Sequence, residues 1–331
     1  MAVLLPDLAF AVDARGVPLC GRAAEYDALR CAGYDDLNAG RLFEGHIDAL
    51  ELIGRFGTPA QRERAQADAA RGLLFGTWNT QDADGVQLVA RSSGGFVLRG
   101  RKTFASGAGR VARGLTTAAR PDGRSQLAVI ALDTVTTTID TAAWRPLGME
   151  HSDSYAIAFD GVALEENDLV GAPGDYERWP WFLGGGIRFV AVQCGALERL
   201  RDETARYLRE LGRERNPFQQ TRLAKITVAT AAARNWLAVA APGWSAYDDE
   251  PATQRADELV MLADCARVAV ERAAFEVTEL VEQSVGARGL LEPYPFARLV
   301  RDLAMYIRQP APDTALIRIA ERAAAQAPVR S

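Results

Sequence analysis

Few side chains in this chain have reactive potential. Its 331 residues include two histidines, His46 and His151, and four cysteines, at positions 20, 31, 194 and 265. No two cysteines form a Cys-x-x-Cys pair, so their spacing favours free thiols over a zinc site or a disulfide framework. His151, in "GMEHSDS", has acids beside it, but so few histidines argue for a polar loop rather than a triad or metal centre. One carboxylate has an unusual setting: Asp313 in "YIRQPAPDTALIRI", residues 306–319. Two prolines one residue apart end a helix, because each lacks an N–H and clashes with the preceding turn. Asp313 is the acid in that break, and its place before an amphipathic stretch fits a helix N-cap. There is no G-x-G-x-x-G opening a helix, no Walker A loop, no G-x-S-x-G elbow and no H-E-x-x-H pair. "GGG" at 184–186 lacks a preceding strand and reads as a helix entrance.

Three zones would have to position these residues. Over 1–72 the texture is helical, with Ile47, Leu50, Ile53 and Phe56 at helical spacing, a Thr58-Pro59 start and a Gly72 stop. Over 73–172, short runs such as "VQLVARSSGGFVLRGRKTF", "QLAVIAL" and "SYAIAFDGVAL" alternate with turn clusters at "DADG", "SSGG" and "RPDGR". This pattern predicts antiparallel strands in a sandwich or barrel, and disfavours a Rossmann sheet. The zone 173–331 is helical from about residue 180, with apolar stripes at Val190, Cys194, Leu197, Leu200 and Leu208, at Leu223, Ile226, Ala229, Ala233 and Leu237, and at Phe296, Leu299, Leu303 and Tyr306. These stripes suit an antiparallel bundle, with "APGWSAYDDEPATQ" (241–254) as an inter-helix loop. The fold class is therefore α+β and multidomain. A net charge of −5 and a pI near 5.3 argue against a nucleic-acid or anionic-membrane surface. No apolar run reaches the length of a membrane span, and a cytoplasmic location is expected.

Six segments, in order, carry a resemblance. They are "HIDALELIGRFGTPAQRERAQADAARG" from His46, "GFVLRGRKTFASGAGRVARGLTTAAR", "PLGMEHSDSYAIAFDGVALEENDLVG", "RNPF" from Arg215, "QSVGARG" from Gln283, and "PFARLVRD" ending at Asp302. Together they resemble the acyl-CoA dehydrogenase family over about residues 43–320. The resemblance implies an FAD-dependent oxidoreductase acting on an acyl-CoA. It also implies a homodimer or homotetramer, with an electron-transfer flavoprotein or a flavin reductase as redox partner. Flavin-ring contacts would come from Trp78, Asn79 and Thr80 and from Phe104 and Ser106. The pyrophosphate would meet Arg215, Gln283, Gly286, Ala287 and Gly289, largely from a neighbouring copy, and Thr314 would match the family's "E-G-T" threonine.

Departures from the pattern bear on mechanism. The region before the β zone is shorter than the family's, the "T-E-P-x-x-G-S-D" loop reads "TWNTQDADG", and a helical Gln falls on Ile226. The family's catalytic Glu falls on Pro310, beside Gln309, or on Pro312 if two residues are inserted. The alternative Glu on the first bundle helix falls on Ile187, before Arg188. Asp313 is then the carboxylate that could serve as base. Three readings stay open: a divergent dehydrogenase using Asp313, a flavin-dependent monooxygenase fed by a reductase, and a binding or scaffold protein without turnover.

Overall fold

Thr58 shows how local chemistry sets a boundary in this protein, whose computed structural model describes residues 5–83, 85–308 and 312–326. The Thr58 hydroxyl accepts from the Gln61 N–H at 3.3 Å, and the Thr58 N–H donates to Gln61 Oε1 at 2.8 Å. This reciprocal cap, with Pro59 in the first turn, starts α3 (Pro59–Ala70) where the sequence expected it. Gly72, at φ 78°, follows its end. Before it come α1 (Arg22–Asp35) and α2 (Leu37–Phe56). Residues 5–21 are not helical and carry an isolated bridge between Val12 and Pro18, so the helical expectation for 1–72 holds only from residue 22.

The strands that follow among the described residues are β1 (Phe75–Trp78), β2 (Gln87–Ala90), β3 (Phe96–Arg99), β4 (Arg101–Ala105), β5 (Arg113–Ala119), β6 (Ser125–Ala131), β7 (Thr138–Asp140), β8 (Tyr155–Ala158), β9 (Ala163–Leu164) and β10 (Leu169–Val170). The larger sheet runs β10-β6-β5-β2-β3-β9 with β1 on β5, and the smaller runs β4-β8-β7. Pairing is antiparallel except that β1 and β2 run parallel to β5. Parallel neighbours need a long crossover, and residues 79–112 supply it between β1 and β5. Leu88, Leu98 and Ile130 of the larger sheet share one core with Ile157 of the smaller. Elsewhere on the larger sheet, Phe75, Leu115 and Leu127 pack with Leu50 and Ile53 of α2 and with Ala65 and Ala69 of α3.

The remaining helices are α4 (Trp181–Gly184), α5 (Gly186–Glu210), α6 (Pro217–Asp249), α7 (Thr253–Gly289), α8 (Phe296–Tyr306) and α9 (Pro312–Gln326). The glycine run does open a helix, with Gly185 at the head of α5. Val190, Cys194, Leu197, Leu200 and Leu208 are buried, as are Ile226, Ala229, Ala233, Leu237, Phe296, Leu299, Leu303 and Tyr306. The loop expected at 241–254 is a correction: α6 runs through to Asp249 with Pro242 inside it, and only 250–252 connect it to α7. Proline inside a helix costs about 3 kcal/mol. Burial of Ala240, Ala241, Trp244 and Tyr247 on the same stretch offsets it. Gly243 helps, since a Cβ there would already stand 3.3 Å from Leu259 Cδ2 of α7.

By its internal packing the chain divides into two units. One holds residues 1–25, 41–146 and 150–182; the other holds 26–40, 147–149 and 183–331. All four cysteines are free thiols. Among the described residues, no helix is long and apolar enough to cross a membrane, and no cluster of His, Cys, Asp and Glu could hold a metal.

Candidate active site

In the β-rich unit, the two segments expected to face a ring are tied together from behind by Lys102. Alternation along β4 turns this side chain inward, where it is fully buried. Its ammonium donates to the Asn79 carbonyl at 3.1 Å, to Thr117 Oγ1 at 2.8 Å and to Gln81 Oε1. All three partners are neutral oxygens, and burial pushes the Lys102 pKa down to about 8. Thr117 in turn donates to Asn79 Oδ1 at 2.8 Å, and the Thr103 N–H donates to the Thr80 carbonyl at 3.1 Å. In the sequence, Lys102 stands inside the "GRKTFAS" motif, with no local sign of a role beyond its inward position on a strand.

Phe104 sits where β4 departs from regular pairing with β8, between Lys102 and Ala105, and Ser106 directly follows the strand. Phe104 has φ 51°, in the left-handed region that a phenylalanine rarely adopts, and the residue is 47% exposed. The ring meets Trp144 edge-on, with centroids 6.0 Å apart, and Trp144 Nε1 donates to the Glu150 carbonyl at 3.1 Å. Ser106 is buried in a row of hydroxyls, 2.9 Å from Ser154, which lies 2.8 Å from Ser152. Trp78 is buried too, and its Nε1 donates to the Ser106 carbonyl at 3.0 Å. Trp78 therefore supports the Ser106 turn from within. Asn79 and Thr80 are exposed. Thr103 Oγ1 is buried without a hydrogen-bond partner. His151 lies half-buried in a single 3-10 turn at 150–152.

In the helical unit, Asp302 gives the Arg-Asp pair inside α8 a structural purpose. It is buried, its Oδ1 accepts from the Met149 N–H at 2.6 Å, and its Oδ2 accepts from Asn38 Nδ2 at 3.2 Å. Burial raises the Asp302 pKa, opposed by the Met149 N–H. Met149 is held at φ 61°, and a Cβ on Gly148 would collide with the Arg301 carbonyl. Arg215 is exposed just before α6, which Asn216 caps through bonds from Phe218 and Gln219. Gln219 Nε2 donates to the Ser284 carbonyl at 3.4 Å, which brings the "RNPFQ" and "QSVGARG" segments together. Within the latter, Gly286 breaks the helical path of α7 at φ 60°. Gln283, Gly286 and Ala287 are exposed and Gly289 is buried. Asp313 and Thr314 are exposed in the first turn of α9, so Asp313 lies just inside the helix that begins at Pro312. Ile187 and Ile226 are fully buried. The Gln309–Pro310 position of the family's Glu lies outside the described residues.

Comparison with known proteins fits this architecture. Residues 184–308 match the family described as "Acyl-CoA dehydrogenase, C-terminal domain". A dibenzothiophene monooxygenase of Mycolicibacterium goodii is 25% identical over 308 residues, covering 81% of this chain and 72% of that protein. A mitochondrial 2-methylacyl-CoA dehydrogenase of Solanum tuberosum is 25% identical over 281 residues, covering 78% of this chain and 64% of that protein. The crystal structure of TdsC from Paenibacillus sp. A11-2 with FMN and indole superposes with a TM-score of 0.84 at 19% identity, covering 94% of this chain and 86% of that one. The chain thus has the acyl-CoA dehydrogenase fold, and residues 184–308 of its bundle match the C-terminal domain model of that family.

Proposed function

We propose that this protein is a flavin-dependent monooxygenase that receives reduced flavin from a separate reductase. The observation that carries this choice over dehydrogenation is the state of the base positions. Ile187 is fully buried where some relatives of this fold carry Glu, and Asp313 is exposed on α9 rather than desolvated. A base for α-proton abstraction works best partly desolvated, and neither residue provides that. The similarity to dibenzothiophene monooxygenase points the same way.

The β-rich unit fits a flavin ring. Phe104 presents an exposed aromatic face, held there at a strained backbone angle. The Asn79 amide nitrogen and Thr103 Oγ1 leave hydrogen-bonding capacity unused by the protein. In this reading Phe104 stacks on the ring, and Asn79, Thr80 and Ser106 meet its polar edge. Lys102 fixes the Asn79 backbone from behind, and Trp78 fixes Ser106. Arg215, Gln283, Gly286, Ala287 and Gly289 face the phosphate end, across a homodimer or homotetramer contact, with Thr314 nearby. FMN is preferred to FAD because the TdsC structure of the same fold contains FMN. When bound and reduced, the flavin would supply the capacity to activate oxygen. The protein's task is to hold the ring, orient the substrate against it and keep water out.

The test supplies reduced FMN from an external flavin reductase and measures oxygen uptake and oxygenated product, with dibenzothiophene and indole as probes. Oxygenated product, together with no anaerobic flavin bleaching by an acyl-CoA panel, is the expected result. Bleaching by an acyl-CoA that Asp313→Asn abolishes would reinstate the dehydrogenase reading, with Asp313 as base and an electron-transfer flavoprotein as acceptor. A protein that binds neither oxidised nor reduced flavin would leave only the scaffold reading.

A further inference from the structure

An ammonium has three protons to give and no lone pair with which to accept. Lys102 spends all three: on the Asn79 carbonyl at 3.1 Å, on Thr117 Oγ1 at 2.8 Å and on Gln81 Oε1. That one-way demand fixes the polarity of the groups bonded to it. Gln81 must turn its amide oxygen toward the cation, which leaves Nε2 on the far side. Gly85 makes room for this fold, since a Cβ there would collide with the Gln81 amide.

Thr117 passes the same polarity one residue further. Its hydroxyl already accepts from Lys102, and the residue is buried, so its single proton needs an acceptor within the protein. Asn79 Oδ1 is that acceptor, at 2.8 Å. With the Asn79 amide reversed, two donors would converge on Thr117 Oγ1 and the hydroxyl proton would be left buried and unpaired, a costly arrangement. The side-chain oxygens of Asn79 and Gln81 are therefore both turned inward. Both residues are exposed, and neither amide nitrogen donates to another described residue.

We propose that Lys102, acting directly on Gln81 and through Thr117 on Asn79, is a positioning residue that makes the loop after β1 present amide N–H donors, which meet the carbonyl oxygens of the flavin ring. Only the identity of the acceptor rests on the flavin-binding reading. The direction of the two amides is measurable without any ligand, so the two can fail separately.

Neutron diffraction from the deuterated, flavin-free protein at pH 7 locates the deuterons directly. The Asn79 and Gln81 amide deuterons are expected on the outward atoms and the Thr117 deuteron toward Asn79; either amide with its oxygen outward overturns the sorting. Fluorescence titration with FMN at pH 7 and pH 9 reads the consequence. Among the described residues, no charged side chain of the packed elements bonds to the ammonium: Arg101 beside it pairs with Asp82, Tyr155 of β8 bonds to Asp153, Arg113 of β5 pairs with Asp68 and Asp133, and β1 carries no titratable residue. Burial lowers the Lys102 pKa to about 8, and the neutral amine formed above it can accept, which frees both amides to turn. Wild-type affinity for FMN is expected to fall about fivefold between the two pH values, and Lys102→Met to be about fivefold weaker at pH 7 with no pH dependence. The wild-type profile needs no variant and decides the matter if Lys102→Met does not fold. Equal wild-type affinity at both pH values, or wild-type affinity in a folded Lys102→Met, overturns the positioning role. If the wild type binds no FMN at either pH, the flavin reading falls and the neutron map alone decides the amide polarity.

Discussion

Lys102 is one of only two lysines in the chain and is enclosed by neutral oxygens. Its folded pKa of about 8 lies below the ordinary 10.5, a difference worth roughly 3 kcal/mol. Because the folded state gives up the proton first, the penalty is fully present below pH 8 and fades as pH rises toward 10.5. Urea unfolding at pH 7.5 and 9.5 should therefore show the wild type gaining stability relative to Lys102→Met across that interval; parallel behaviour would mean that the buried charge carries no such penalty. Phe104 makes a second prediction at this scale. Phe104→Gly relieves the φ of 51° but deletes the exposed ring. Stability should stay within about 1 kcal/mol of wild type, while flavin affinity, followed by fluorescence titration, should fall about tenfold, in line with one lost aromatic contact of 1–2 kcal/mol.

At the scale of elements, two side chains tie segments together through buried bonds. His46 on α2 lies 2.8 Å from the Leu8 carbonyl through Nε2, and its Nδ1 accepts the Phe75 N–H of β1 at 3.1 Å. That acceptance requires a neutral ring with its proton on Nε2, and burial pushes the pKa down to about 4. The unfolded chain binds a proton near pH 6.5 that the folded chain refuses, so stability is lost as pH falls from about 6.5 to about 4. Circular dichroism of urea unfolding at pH 7 and 4.5 should show a loss of roughly 2–3 kcal/mol that His46→Gln largely removes. Asp302 links α8 to Met149 and Asn38. Asp302→Ala leaves a buried N–H and a buried amide unpaired and should cost about 2–4 kcal/mol in chemical denaturation. Asp302→Asn, which keeps an acceptor, should cost less. The sequence showed the Arg-Asp pair as a motif but not its purpose, because Met149 lies 153 positions away.

At the scale of the whole molecule, legibility followed the range of the interactions. Thr58, Pro59 and Gly72 act on their immediate neighbours, so the start and stop of α3 could be read directly. The apolar stripes of α5 and α8 encode burial by period and were equally plain. Pro242 misled, since its local signal is a break and the burial that overrides it comes from distant helices. The parallel placement of β1 on β5 also depends on a partner that no local pattern names. For the candidate site, the sequence singled out the segments around Asn79 and Phe104 as an expectation, and the Lys102 web behind them was not legible in it. Exposure of Arg215, Gln283, Gly286 and Ala287 on a single chain supports the proposal that they meet a neighbouring copy. Light scattering of the purified protein should then report a dimer or tetramer, and a monomer at micromolar concentration would sink that part of the proposal.

The burial of Lys102 also gives the molecule a built-in chemical clock. Lys225 is exposed and open to acylation by an activated ester, whereas the Lys102 amine is sealed beneath β4. Its acylation must wait until that strand lifts. Peptide mass mapping of a labelling time course would therefore read the opening rate of the β-rich unit at one atom, with Lys225 as the internal reference.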